Sequence, residues 1–87
     1  MVKDKTAPKK PTGLKRTKAK DGIRIHWESP GGDVKGYEIE VRGEKLVQLS
    51  FVTDPSFTSS KIEDGAKVRV RAVNADEHVS DWADLDG

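Results

Sequence analysis

The sequence predicts an all-β domain, an antiparallel β-sandwich of about seven strands, and three observations carry that expectation. Short stretches in which apolar and polar residues alternate recur roughly every ten residues. Clusters of Gly, Pro, Asp, Asn and Ser separate them. No segment spaces its apolar residues as an amphipathic helix does, so no helix is expected.

Taken in order, residues 1–10 are rich in lysine and hold no large apolar residue beyond Met1 and Val2, so they read as a basic flexible linker. Residues 11–87 read as the domain. Pro11-Thr12-Gly13-Leu14 fits the start of an edge strand, where a proline's missing donor does no harm. Ile23, Ile25 and Trp27, separated by Arg24 and His26, show the two-residue period of a half-buried strand. Ser29-Pro30-Gly31-Gly32-Asp33 then stacks five turn formers. A second alternating run places Tyr37, Ile39 and Val41 on one face and Glu38, Glu40 and Arg42 on the other.

Gly43-Glu44-Lys45 interrupts that run, and Leu46, Val47, Leu49, Phe51 and Val52 form a less regular apolar strand up to the turn at Asp54-Pro55. Ser56-Phe57-Thr58 is a short strand, and Ile62 is an apolar plug ahead of the turn Glu63-Asp64-Gly65. Val68, Val70 and Ala72 alternate with Lys67, Arg69 and Arg71 in the clearest run of all. A polar tip from Asn74 to His78 leads to a last strand around Val79 and Trp82. If the strands holding Glu38/Glu40 and Arg69/Arg71 pair, these charges face each other as a ladder that sets register more than stability.

Composition narrows the function classes. A chain of 87 residues supports one thin core, and about 63% of its extended surface is buried on folding by size scaling. Leu, Ile, Val and Phe make up 19 residues, enough to place the chain among folded domains. Sixteen basic residues nearly balance 15 acidic ones, and a net charge of +1 does not suit a dedicated nucleic-acid binder. The charge is nevertheless split along the chain. Residues 1–20 carry eight basic groups and one acid, whereas residues 74–87 carry five acids and no base. No apolar run exceeds two residues, so neither membrane insertion nor a signal peptide is expected. The lack of cysteine removes disulfides, thiolate nucleophiles and thiolate metal sites together.

The residues just described resemble a fibronectin type III domain, over about Pro8 to Leu85. The resemblance is carried by Pro11-Thr12-Gly13-Leu14, by Ile23-Arg24-Ile25-His26-Trp27 and by Gly36-Tyr37-Glu38-Ile39. Asp64-Gly65 followed by Val68 to Asn74, and then Ser80-Asp81-Trp82, resembles the family's sixth and seventh strands. It implies a seven-stranded, immunoglobulin-like sandwich with chain ends at opposite poles. The family usually places a tyrosine just after the turn glycine, where its hydroxyl pins the corner to the backbone. Here Ala66 or Val68 stands at the candidate positions. The tyrosine-less turn and the Ser-Asp-Trp ending are similar to fibronectin domains of bacteriophage tail-tip and host-specificity proteins. Similar modules occur in secreted bacterial glycoside hydrolases and cell-surface proteins, so the resemblance implies a virion tail or an extracellular location.

Candidate sites are few. Trp27 lies in phase with Ile23 and Ile25 and belongs to the core. Trp82, beside Asp81 and Asp84, is the candidate ligand aromatic, with packing against the domain as the plainer reading. His26 points outward and His78 sits in a loop without the further ligands a metal needs, so neither a metal nor another cofactor is expected. The chain lacks a Gly-x-Ser-x-Gly elbow, and nothing in it reads as an enzyme. Arg42-Gly43-Glu44 resembles the integrin-binding Arg-Gly-Asp tripeptide with the wrong acid, and reads as a hairpin turn. The lysines and Arg16 of the first 20 residues lack interleaved aromatics, so they read as solvated, with weak phosphate binding as the alternative.

The expected function is a non-catalytic modular spacer and protein-binding domain of a larger phage-tail or extracellular protein. Its partners are neighbouring domains of that protein, with another protein or a cell-surface glycan as further candidates. Recognition is assigned to polar loops at one pole, Ser29, Gly31, Gly32 and Asp33 with Asn74, Asp76, Glu77 and His78. The alternative is a carbohydrate-binding accessory module of a secreted glycoside hydrolase, which requires Trp82 with Phe57 or Tyr37 in an exposed strip. Without the corner tyrosine, modest stability is expected. Thermal unfolding followed by circular dichroism should show a midpoint below the roughly 90 °C of hyperstable domains.

Overall fold

The structure, a computed structural model, describes residues 8–32, 34–63 and 65–85. In chain order the strands are β1 (Thr12–Ala19), β2 (Gly22–Glu28), β3 (Gly36–Arg42), β4 (Val47–Val52), β5 (Ser56–Ser59), β6 (Lys67–Val73) and β7 (Ala83–Asp84). They form a three-stranded sheet ordered β1-β2-β5 and a four-stranded sheet ordered β4-β3-β6-β7. Every pairing is antiparallel, so the fold is all-β and sandwich-like.

Alternation decides what lies between the sheets. Ile23, Ile25 and Trp27 of β2 meet Tyr37, Ile39 and Val41 of β3 and Val68, Val70 and Ala72 of β6 in one buried cluster, closed by Ile62 and Ala66. Trp27 and Tyr37 pack edge to face with centroids 5.4 Å apart. Each buried aliphatic side chain contributes about 1.5–3 kcal/mol, so these few residues supply most of the driving force for folding. Pro11 is fully buried while Lys9 and Lys10 are exposed. Pro11 is the first buried residue among the described ones, and residues 1–7 of the expected linker lie outside them.

Two strands differ from their expected extents. β1 runs on to Ala19, through residues that the sequence reads only as basic, with an irregularity between Thr12 and Lys15 at Gly13 (φ 67°). As an edge strand it presents polar residues on both faces and so lacks an apolar row. The last strand is found at Ala83–Asp84, beyond Val79 and Trp82. Val79 makes only an isolated bridge to Val73. Buried Ser80 explains the delay, because its N–H donates to the Ala72 carbonyl and its Oγ accepts the Ala72 N–H, each at 2.9 Å. A side chain thus occupies the position of a ladder bond.

Arg16 ties the turn before β6 to the opposite sheet. Its position opposite Ile25 turns it to the inner side of β1. From there Nη2 donates to the Ala66 carbonyl at 2.6 Å, across 50 residues of chain. The bond fastens the edge of one sheet to the turn that opens β6 of the other. Hydrogen bonds from charged donors contribute about 1.5–3 kcal/mol. Arg16→Met should therefore destabilise the domain by about that amount in urea unfolding, whereas Lys15→Met, on the exposed face of the same strand, should change stability by less than about 0.5 kcal/mol.

Candidate functional site

The two candidate loops come together. β2 ends and β3 begins around residues 29–35, and β6 ends at residues 74–78, so both connections lie at one pole. The Lys35 N–H donates to the Val73 carbonyl at 2.7 Å, and Lys35 Nζ lies 3.6 Å from Glu77 Oε2. The turn after β4 shares this pole, since the Trp27 N–H donates to the Pro55 carbonyl at 3.1 Å.

Within the first loop, Ser29 Oγ accepts the Gly31 N–H at 3.1 Å. Gly31 (φ 83°) and Gly32 (φ 75°) occupy left-handed backbone with open space around them. Asp33 lies outside the described residues. In the second loop Asn74 is buried, and its Oδ1 accepts the N–H groups of Asp76 and His78 at 3.0 and 2.9 Å. Its carboxamide oxygen therefore builds the turn rather than facing a ligand. Asp76 and Glu77 stand exposed at the tip, and Glu77 holds a positive φ of 65°. His78 is half-buried beneath them. A shallow depression lined by Lys35, Glu77, Val79 and Phe51 leads from this pole onto the outer face of the four-stranded sheet.

That outer face is laid out in rows. On β3 and β6, Glu40 is opposite Arg69 and Glu38 opposite Arg71. Arg69 Nε donates to Glu40 Oε1 at 2.6 Å, and Arg71 Nη2 lies 2.6 Å from Glu38 Oε1, which is the ladder expected from the sequence. Trp82 completes it. The guanidinium carbons of Arg69 and Arg71 lie 4.2 and 4.4 Å from its ring centroid. The candidate ligand aromatic is thus half-buried under two arginines that are themselves held by carboxylates. Tyr37 is buried in the core and Phe57 packs against it from the other sheet, so these residues and Trp82 do not form an exposed strip.

The remaining candidates resolve locally. Arg42-Gly43-Glu44 is held in the tight turn between β3 and β4, where the Gly43 N–H donates to the Leu46 carbonyl at 2.8 Å. The Glu63 carboxylate lies against Gly43 and accepts the Glu44 N–H at 3.4 Å. Among the described residues, no three His, Asp or Glu side chains converge as a metal site requires.

One surface feature was not foreseen. Val47, Leu49 and Phe51 of β4 face outward and are 55%, 63% and 49% exposed, while Gln48 and Ser50 turn toward the core side opposite Val41 and Ile39. The sequence reads Leu46 to Val52 as a less regular apolar strand, and its apolar residues fit either facing. The hairpin register imposed by Gly43 and Leu46 decides between them.

The stacking on Trp82 has a measurable consequence. Trp27 is 4% exposed, so acrylamide quenching of the native domain reports mainly on Trp82. Arg71→Met should increase that quenching and cost about 1 kcal/mol through the lost cation–π and ion-pair contacts. Compared with known proteins, the chain matches no family model and no curated protein.

Proposed function

We propose that the chain is a non-catalytic module of the fibronectin type III kind, with seven strands in an immunoglobulin-like sandwich, that spaces and joins neighbouring domains of a phage-tail or extracellular protein. The observation that carries this reading is the placement of its strand ends. β1 starts beside Glu28, at the pole of the 29–35 and 74–78 loops, and the chain leaves β7 beside Val68 at the other pole. A module so threaded extends a string of domains lengthwise and keeps its polar loops at the junction with the preceding neighbour. Two antiparallel sheets of three and four strands support this reading.

Charge supplies the joining term. Lys9 and Lys10 lead into the first pole, and the described acids of the last segment do not gather at one pole. Asp76 and Glu77 stand at the first, whereas Asp84 lies on the departing strand. The basic approach of one module then faces the acidic departure of the module before it, across a distance where salt screens the attraction. The carbohydrate-binding alternative loses support because Trp82 stacks on Arg69 and Arg71.

In a two-module stretch of the parent protein, reversing Asp81, Asp84 and Asp86 to lysine should widen the distribution of interdomain angles in small-angle scattering. Raising the salt concentration should have the same effect on the unmodified protein. An unchanged scattering profile in both experiments removes charge pairing from the proposal.

A further inference from the structure

We propose that the free edge of β4 is a self-association site, at which a second copy of this chain adds its own β4 antiparallel across a two-fold axis and joins the two four-stranded sheets into one. The inference does not depend on the spacer reading, because it rests on the edge strand alone.

Three observations converge on it. The first is the unprotected edge. Natural sheets guard their edges with lysine, proline, bulges or inward-pointing charges. β1 follows this rule, with Lys15, Arg16 and Lys18 along its length. The six residues of β4, Val47-Gln48-Leu49-Ser50-Phe51-Val52, contain no charge, no proline and no glycine. In the β3–β4 ladder, Gly43 and Leu46 form a hydrogen-bonded pair. Alternation from that pair directs the backbone N–H and C=O groups of Val47, Leu49 and Phe51 away from β3, to the open side.

The second is the inverted facing of the side chains. An edge strand carrying its apolar row outward leaves that row exposed, and Phe51 lies against the backbone of Gly36, where a Cβ would collide with its ring. The row therefore has a fixed floor rather than lying loose on the surface. The third is an unsatisfied polar atom. Gln48 Oε1 is buried on the inner side of β4 without a hydrogen-bond partner. Buried acceptors left in this state are rare and call for an explanation.

These observations select the occupant. A two-fold axis perpendicular to the sheet keeps outward residues beside outward residues, which requires facing positions of the same parity. Centred on Leu49, it sets Leu49 against the Leu49 of the second copy, Val47 against its Phe51, and Gln48 against its Ser50. The open N–H and C=O groups of Val47, Leu49 and Phe51 then become hydrogen-bonded pairs. The apolar rows merge across the junction. The Ser50 hydroxyl of each copy stands beside the Gln48 side chain of the other, and a turn of the Gln48 carboxamide toward the edge gives its carbonyl, enclosed within the single chain, the missing donor. No like charges are opposed within the paired segment, because the segment has none. An unrelated extended peptide would also satisfy the backbone, but it offers no hydroxyl fixed opposite Gln48.

A junction of six-residue strands buries less than the roughly 1,200 Å² of a standard stable interface, so the dimer is weak and is to be sought at protein concentrations on the order of 1 mM. The test is sedimentation velocity with amide NMR on the full chain, from about 20 µM to about 1 mM. The expected result is a weight-average mass that rises toward that of a dimer, with concentration-dependent amide shifts confined to Val47–Val52 and the turns flanking it. Leu49→Lys opposes two ammonium groups at the axis and should abolish the rise, as should Leu49→Glu. An equimolar mixture of the two variants should restore it. A wild-type chain that remains monomeric up to about 1 mM overturns the proposal. So do shifts mapping away from β4, an undiminished mass increase in Leu49→Lys, or a mixture that stays monomeric. If either variant fails to fold, the wild-type mass and shift map decide alone.

Discussion

The pairing of β3 with β6 is the constraint on which the rest of the molecule depends. Its register sets Ile39 against Val70 on the inner face and Glu38 and Glu40 against Arg71 and Arg69 on the outer one. A slip by one residue in both strands would exchange the two rows and carry six charges, Glu38, Glu40 and Arg42 with Lys67, Arg69 and Arg71, between the sheets. Effective desolvation penalties of several kcal/mol per ion forbid that arrangement. The outward ion pairs contribute little themselves, yet their cost in the wrong place makes the correct register unique. β4 and β7 then take their positions on either side of this central pair, and Trp82 settles on the arginines that the pair has already fixed.

In a core this thin, hydrophobic burial does not reach every segment, and polar side chains hold the remainder by bonding to the backbone. Arg16 fastens the turn before β6 to the opposite sheet, Asn74 folds the tip after β6, and Ser80 guides the chain back along β6. Each of these bonds satisfies main-chain groups that no regular ladder reaches. Their distribution also separates scaffold from surface at the loop pole. Asn74 is committed inside its turn, while Gly31, Gly32, Asp76 and Glu77 are left at the exposed rim.

Much of this was legible in the sequence where a single property decided the outcome. The inner rows of β2, β3 and β6 followed from strict alternation, and the charge ladder followed from opposite signs at the same phase of two such runs. What was not legible depended on choices between equivalent patterns. β1 is polar on both faces, so its extent beyond Leu14 left no periodic trace. The apolar residues of β4 alternate less regularly, and only the closure of its hairpin tells which row faces out. Trp82 acquires its stacking partners from residues 11 and 13 positions earlier, on a neighbouring strand whose arginines the sequence assigns only to the charge ladder.

The position of the strand ends also determines how the molecule responds to tension. A pull applied through both termini runs parallel to β1 and β7 and loads their hydrogen bonds in shear, many at once, rather than peeling them apart in turn. The two ends are unequal. β1 is paired with β2 from Thr12 to Ala19, whereas β7 meets β6 only at Ala83 and Asp84, with Ser80 and Leu85 adding bonds on either side. Held by fewer bonds than β1, β7 is the weaker attachment, and its loss uncovers the β6 backbone at Val68 and Val70. The chain is thus anchored unequally, along a whole strand at one end and by a short one at the other.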